Sequence, residues 1–232
     1  MEKQKYTAIV LAAGSGKRMN SKVHKQYLII QDRPVLYYSL KAFEDSAVDE
    51  IVLVVGKGEE EFCRREIVDK YGISKVKAIV EGGKERYHSV FEGLKQTSDA
   101  DYVLIHDGAR PFVNQDIIRR CMQEAQKYQA CVVGMPVKDT IKIADEEGYA
   151  KQTPDRKNVW MIQTPQTFSY ALIYEAYEEM LKTEDTAITD DAMVLERIKG
   201  KKSKLIEGSY RNIKITTPED LLIANVYLQH PE

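Results

Sequence analysis

The 232-residue chain has little of what marks several large protein classes. It carries three cysteines, Cys63, Cys121 and Cys131, an odd number with no C-x-x-C spacing. That argues against a disulfide framework or a thiolate metal site, and for packing residues in a reducing, cytosolic compartment. The four histidines, His24, His88, His106 and His230, are too scattered to suggest zinc. No apolar run approaches the ~18 residues of a membrane-spanning helix. Neither sign of charge dominates: 34 Lys+Arg stand against 36 Asp+Glu, a formal net charge of −2. A strongly basic nucleic-acid binder and an acidic disordered tail are therefore disfavoured. Internal repeats and low-complexity tracts are missing too. Lys3 and Lys5 before Ile9-Val10-Leu11-Ala12-Ala13 faintly mimic a signal peptide. The run is too short for one, and it flows into Gly14-Ser15-Gly16-Lys17-Arg18, which reads as a buried strand and a loop.

What remains is an ordinary globular composition, 43% hydrophobic and 30% charged, long enough for the core of a single domain over residues 1–232. Short β-branched runs at Tyr6–Leu11, Ile51–Val55, Val76–Val80, Tyr102–His106 and Ala130–Met135 read as strands. Amphipathic stretches at Val35–Phe43, Glu59–Tyr71, Glu85–Lys95 and Gln115–Tyr128 alternate with them. Strands apolar throughout, separated by helices, indicate a doubly wound α/β fold around a mostly parallel twisted sheet. Further helices are expected at Tyr170–Lys182, Ala192–Ile198 and Pro218–Leu228. The last begins with Thr217 as N-cap and Pro218 in first position. Tyr210–Ile215 alternates like a strand, and the Lys- and Glu-rich stretch 199–204 reads as solvated surface. Residues 138–157 alternate apolar and polar around a turn at Glu146-Glu147-Gly148. This predicts a protruding β-hairpin with too little apolar surface to stand alone. It must pack on its own domain or on a second subunit.

Chemistry concentrates in two places. Ala12-Ala13-Gly14-Ser15-Gly16-Lys17-Arg18-Met19 follows the first strand, where closely spaced glycines let backbone N–H groups crowd around an anion. Arg18 and, seven residues on, Lys25 add positive charge. Leu11 and Arg18 break the P-loop pattern, and Met19 breaks the dinucleotide fingerprint. Tyr102-Val103-Leu104-Ile105-His106-Asp107 is a buried strand ending in a carboxylate. It lies where ligands of open α/β sheets bind, and a lone carboxylate near phosphates suits Mg²⁺. His106 reads as a packed core residue. Glu81-Gly82-Gly83 opens another helix, where paired glycines let a flat base approach and Ser89 offers a hydrogen bond. Thr189-Asp190-Asp191 reads first as a helix cap. Gln163-Thr164-Pro165-Gln166 reads as the end of a strand near Trp160. Lys214 either meets an anion or is solvated.

Taken together with Lys25-Gln26-Tyr27, Gly82-Gly83-Lys84-Glu85-Arg86, His106-Asp107-Gly108-Ala109-Arg110-Pro111, Val137-Lys138-Asp139-Thr140, Thr164-Pro165-Gln166, Thr189-Asp190-Asp191-Ala192 and Asn212-Ile213-Lys214, the chain resembles the sugar-phosphate nucleotidyltransferases. More closely, over nearly its whole length, it is similar to the 2-C-methyl-D-erythritol 4-phosphate cytidylyltransferase family of non-mevalonate isoprenoid synthesis. The resemblance implies a Rossmann-like nucleotidyltransferase fold in which CTP and a polyol phosphate react with Mg²⁺. Ala12, Ala13, Gly14, Gly16, Gly83, Ser89 and Asp107 would bind nucleotide, with Asp107 also meeting the metal. Arg18, Lys25, Arg156 and Lys214 would be the catalytic cations. Arg110, Thr140, Arg156, Thr164, Thr189 and Lys214 would hold the acceptor. Thr140 and Arg156 sit on the hairpin, which in that family is a dimerisation arm exchanged between two subunits, so a homodimer is implied. The family often has Ala at the place of Gly108, and the exchange is expected to be harmless because both residues are small. Neither nucleic acid nor membrane is an expected partner. A cytidylyltransferase for another polyol phosphate such as ribitol 5-phosphate stays open. A non-catalytic nucleotide sensor and a dinucleotide-dependent dehydrogenase are the weaker alternatives.

Overall fold

The computed structural model describes residues 3–14, 19, 23–183 and 187–230. In chain order the elements are β1 (Tyr6–Ala12), β2 (Ile29–Ile30), β3 (Arg33–Pro34), α1 (Val35–Glu44), β4 (Glu50–Val55), α2 (Glu60–Cys63), β5 (Val76–Glu81), α3 (Arg86–Leu94), β6 (Tyr102–Asp107), α4 (Gln115–Tyr128), β7 (Ala130–Pro136), β8 (Ile143–Ala144), β9 (Ala150–Gln152), β10 (Trp160–Ser169), α5 (Tyr170–Met180), α6 (Asp191–Lys199), β11 (Lys204–Glu207) and α7 (Pro218–Gln229). Short 3₁₀ turns at Lys25–Tyr27 and Arg156–Asn158, and a π-helical turn at Arg64–Asp69, complete the description.

Seven strands form one sheet in the order β11-β7-β10-β6-β1-β4-β5. Adjacent strands run parallel except β10, which lies antiparallel to both β6 and β7. The predicted doubly wound, mostly parallel sheet is the fold observed. Successive side chains of a strand face opposite ways, and here both ways lead into core. Ala8 and Val10 of β1 pack with Leu36, Leu40 and Phe43 of α1 and with Ile117 and Cys121 of α4. Ile9 packs with Val90 and Leu94 of α3, Tyr177 of α5 and Leu195 of α6. The double covering explains why the strands read as unbroken apolar runs. All three cysteines are buried and unpaired, as packing residues. Among the described residues no helix is long and apolar enough to cross a membrane.

Three sequence-based expectations need correction, and one edge strand was not expected. Tyr210–Ile215 is no strand: Tyr210 and Arg211 turn, and the chain then runs irregularly past the site. The buried Asn212 amide donates to the Thr164 carbonyl at 3.0 Å and Arg110 donates to the Asn212 carbonyl at 2.8 Å, so side chains take up the backbone here in place of a ladder. The solvated stretch 199–204 runs into β11, an edge strand paired with β7. Its charged, exposed character is what an edge tolerates and what hid it. Glu59–Tyr71 is α2 followed by a π turn; Cys63, Ile67 and Val68 still face the core, so the apolar pattern looks like that of one helix. Gln163–Gln166 lies inside β10, at a register irregularity between Ile162 and Gln166, and does not end it. The hairpin itself is observed: β8 and β9 pair antiparallel around Gly148, with φ of 87°.

Gly93 marks the closest approach of α3 to the sheet. A Cβ there would lie 2.5 Å from Ile9 Cγ2 and 3.2 Å from Val54 Cγ2. Helix propensity favours alanine over glycine by about 1 kcal/mol, but overpacking a core costs about 1–3 kcal/mol. Gly93→Ala is therefore expected to destabilise the protein, read as a lower urea midpoint at unchanged m-value. A rise in midpoint would refute the close approach.

Candidate active site

The parallel register aligns the carboxyl ends of four strands. Leu11 is level with Asp107, Ala12 with Val55, and Val55 with Glu81. The loops that follow carry Ala13-Gly14, Gly56, Gly82-Gly83 and Gly108, and small residues there keep the end of the sheet open. A Cβ on Gly82 would sit 2.5 Å from the Ala13 Cβ and 2.6 Å from Ser89 Oγ, so the first loop and the paired-glycine loop touch. A Cβ on Gly108 would lie 2.8 Å from Leu36 Cδ1 and 3.0 Å from the Leu11 carbonyl, so the loop after β6 is also tightly fitted and an alanine would require Leu36 to move.

A cavity of about 330 Å³ opens at this end, lined by Ala12, Ala13, Gly14, Lys25, Gly83, Ser89, Asp107 and Lys214 among others. A neighbouring cavity of about 300 Å³ is lined by Arg110, Thr164, Gln166, Thr189, Asp190 and Lys214. Arg86, Asp107 and Lys214 belong to both and form the wall between them. Most of the candidate residues thus converge. Gly16 and Arg18 lie outside the described residues. Thr140 and Arg156 line neither cavity; both are exposed on the hairpin segment, with Arg156 donating to the Lys138 carbonyl at 3.1 Å.

Asp107 is the electrostatic centre. Lys214 Nζ approaches its Oδ2 at 2.8 Å, Arg110 Nε the same oxygen at 3.8 Å, and Arg86 Nε its Oδ1 at 3.4 Å. Burial by itself would raise the carboxyl pKa, but Lys214, then Arg86 and Arg110, outweigh it and hold Asp107 well below the usual carboxylate range. Arg86 grips the fully buried Asp191 through both terminal nitrogens, at 2.7 and 2.8 Å, and Tyr177 donates to Asp191 Oδ1 at 2.6 Å. The two cavities are lined by Lys25, Lys84, Arg86, Arg110 and Lys214 against Glu85, Asp107 and Asp190, and Asp191 lies behind Arg86, so five cations stand against four carboxylates. An anion is what such a wall attracts.

Lys25 is placed by its neighbours. Gln26 is buried and donates to the Ala12 carbonyl at 2.5 Å, while the Tyr27 hydroxyl meets Glu59 at 2.8 Å. The short 3₁₀ turn is thereby pinned against the first loop on one side and α2 on the other. Lys214 is placed by Asn212 and by the Ile215 N–H, which donates to the Ala109 carbonyl at 2.8 Å. Ser39 of α1 donates towards the Gly108 and Arg110 carbonyls and shapes the loop after β6. Arg86, Asp191, Tyr177 and Gln26 are the residues that sequence reasoning missed as contributors. Arg86 and Asp191 are 105 positions apart, and no linear spacing joins them. Asp190 does cap α6 as expected, accepting from the Met193 N–H at 2.9 Å.

As for metal, a cation fits only on particular terms. No group of three or more His, Cys, Asp or Glu side chains capable of holding one occurs among the described residues. Among the described residues Arg86 Nε, at 3.4 Å, is the partner of Asp107 Oδ1, and Asp107 lines the cavity, so the side chain can offer one carboxylate oxygen. That suits Mg²⁺, which takes most of its ligands from phosphates and water.

Fold and site together define a nucleotidyltransferase: a crevice beyond the parallel strands, lined by cations and with no cysteine or histidine among the described residues that line it. The model of the 2-C-methyl-D-erythritol 4-phosphate cytidylyltransferase family matches residues 6–230, and the chain belongs to that family. A protein of that name from Lachnospira eligens is 54% identical over 225 residues, covering 96% of this chain and 99% of the relative. Another from Lachnoclostridium phytofermentans is 50% identical over 226 residues, 97% of each. The crystal structure of a 4-diphosphocytidyl-2C-methyl-D-erythritol synthase from Anaerococcus prevotii superposes with a TM-score of 0.86 at 38% identity, over 98% of this chain and 97% of that one.

His106 is a core residue, as expected, and its proton has one place. Nε2 lies 3.1 Å from the Arg110 carbonyl, which can only accept, so Nε2 carries the hydrogen. Nδ1 then accepts from the Thr164 hydroxyl at 3.0 Å, and that same oxygen accepts from the Asp107 N–H at 3.1 Å. The Thr164 proton is committed to His106, which leaves Thr164 only an acceptor lone pair for a ligand. Burial, against the opposing pull of Asp107, lowers the ring pKa from 6.5 to about 4. The unfolded chain binds this proton near pH 6.5 and the folded one does not until about pH 4. Stability is thus expected to fall as pH drops through that window, by up to about 3 kcal/mol from this group. Asp107 adds its own loss only below that window. Urea melts from pH 7.5 to 4.5 test this, with His106→Gln expected to flatten the slope; an equal slope in the variant would refute it.

Proposed function

We propose that this chain joins CTP to 2-C-methyl-D-erythritol 4-phosphate, giving the cytidine-diphosphate alcohol and pyrophosphate. The observation that carries this, beside family membership, is the Arg86–Asp107–Lys214 wall common to two adjoining cavities. One cavity takes the nucleotide and the other the acceptor, and the reacting phosphates meet at the wall. Ala12, Ala13 and Gly14 cradle the triphosphate, with Gly83 and Ser89 beside the base and ribose. Arg110, Thr189 and Lys214 hold the acceptor, and Thr164 accepts from one of its hydroxyls.

The acceptor phosphate attacks the α-phosphorus in line with the departing pyrophosphate. Its second pKa is about 6, so the attacking oxygen is already anionic at neutral pH and needs no base. His106, walled in and neutral, is not one. The difficulty is repulsion: two unit charges about 5 Å apart at an effective dielectric of about 20 oppose each other by roughly 3 kcal/mol. Lys25 and Lys214, with Arg18, offset several such terms and stabilise charge at the α-phosphate. Mg²⁺, held by Asp107 and the phosphates, would add further charge neutralisation there. The work takes place in the cytoplasm.

The hairpin completes the site from outside. Residues 142–153 are exposed, including Ile143 at 46% and Tyr149 at 70%, and among the described residues Thr140 and Arg156 line neither of the two cavities. Large exposed apolar side chains on an arm with little core of its own suit a partner surface. In a homodimer exchanging arms, Thr140 and Arg156 reach the neighbour's acceptor cavity.

The direct test combines purified protein, Mg²⁺, each of the four nucleoside triphosphates, and methylerythritol phosphate against ribitol phosphate. Pyrophosphate release is expected with CTP and methylerythritol phosphate and is abolished by EDTA; preference for ribitol phosphate would overturn the acceptor assignment. Lys25→Ala is expected to lower kcat by about 10²-fold or more while changing the KM for CTP far less. An unchanged kcat would remove Lys25 from the chemistry. Arm exchange has its own test: Lys25→Ala and Arg156→Ala proteins are each nearly inactive, and unfolding and refolding them together restores about a quarter of the wild-type activity, since half of the mixed-dimer sites are intact. No recovery would refute the exchange.

A further inference from the structure

The Arg86–Asp191 pair does more than bury two charges. Arg86 is the first residue of α3, just after the paired glycines, and Asp191 is the first of α6, just after Thr189 and Asp190. The pair therefore ties the lip of the nucleotide cavity to the lip of the acceptor cavity. An acidic side chain suits the start of α6, whereas a cation at the start of α3 is disfavoured by the helix dipole and is held there by its partner. Arg86 has spent both terminal nitrogens on Asp191, in the two-point geometry that makes arginine–carboxylate contacts strong. Only Nε is turned to Asp107, at a looser 3.4 Å, while Lys214 holds Asp107 at 2.8 Å. Asp191 is wholly buried and is fixed from behind by the Tyr177 hydroxyl, so it has no aqueous alternative.

We propose that Asp191 is a positioning residue for the transfer, acting through Arg86: its grip keeps the two terminal nitrogens of the guanidinium off Asp107, which only Nε reaches, and leaves Asp107 to hold Lys214 at the boundary between the two cavities. Without a carboxylate at 191, the guanidinium turns its fork to Asp107, displaces Lys214 and withdraws a cation from the acceptor phosphate. The proposal rests on the reaction proposed above.

The test uses the full chain and three variants: Asp191→Asn, the double variant Arg86→Met with Asp191→Asn, and Tyr177→Phe. Asp191→Asn keeps shape and loses charge. It is expected to lower kcat by about 10²-fold and raise the KM for the polyol phosphate by about 10-fold, while the CTP Kd measured by calorimetry moves less than about 3-fold. In the double variant the competing guanidinium has gone, and kcat is expected to recover by about 10-fold over Asp191→Asn. A pair that merely braced the fold gives a double variant no better than the single one, and that result overturns the proposal. If Asp191→Asn does not fold, Tyr177→Phe decides: a several-fold rise in acceptor KM at constant CTP KM is expected, and no rise overturns it. Wild-type protein that releases no pyrophosphate overturns the reaction instead; calorimetry with the polyol phosphate alone then still reads the loss of acceptor affinity in Asp191→Asn and its return in the double variant.

Discussion

A buried carboxylate among three cations holds the end of the sheet together. Asp107 is at the tip of β6, with little solvent to stabilise its charge. A lone buried ion costs several kcal/mol, and breaking a buried pair by removing one partner costs about 3–5 kcal/mol. Lys214 and Arg86 must therefore be brought to it from distant parts of the chain, while Arg110 comes from the loop three residues on. That requirement explains the irregular run through Asn212, which delivers Lys214, and the bracing of the Gly108–Arg110 loop by Ser39. It also explains why a second carboxylate, Asp191, lies behind Arg86.

The same arrangement sets the chemistry. A phosphate monoester brings its own anionic nucleophile, so a protein that joins one to a nucleoside triphosphate with release of pyrophosphate needs charge and alignment more than a base. The site is built accordingly. Its histidine is sealed in the core with both ring nitrogens engaged, its cysteines are packed, and its cations sit where two cavities meet. The cationic surplus has to be rigid to be useful, because a side chain that must reorganise during the reaction gives back much of what it supplies. The pinning of Lys25 through Gln26 and Tyr27 is one instance of that rigidity.

Much of the fold was legible because local chemistry and global packing agreed. Strands covered on both faces are apolar throughout, Thr217-Pro218 followed by Glu219 and Asp220 carries the signals of a helix start, and glycines at strand ends signal open loops. The elements that were misread are those in which a few long-range contacts overrule local pattern. Asn212 and Arg110 divert Tyr210–Ile215 from a ladder it would otherwise suit. The edge strand Lys204–Glu207 pairs on one side only, so it shows no double apolar face. Asp107 and Lys214 were visible as candidates since each ends or lines a readable motif, whereas Arg86 and Asp191 looked like a helix start and a cap.

From the order of residues alone come the alternating strands and helices, the small-residue loops beyond the strands, and the family. These depend on neighbours within a few positions, which the chain states directly. Which charges face each other was decided only on folding. Arg86 meets Asp191 across the helices that cover one face of the sheet, and β10 inserts antiparallel between β6 and β7 to set Thr164 beside His106. Coulombic and hydrogen-bonded partnerships act over a few ångströms in space, and distance in space is what a linear sequence leaves unwritten.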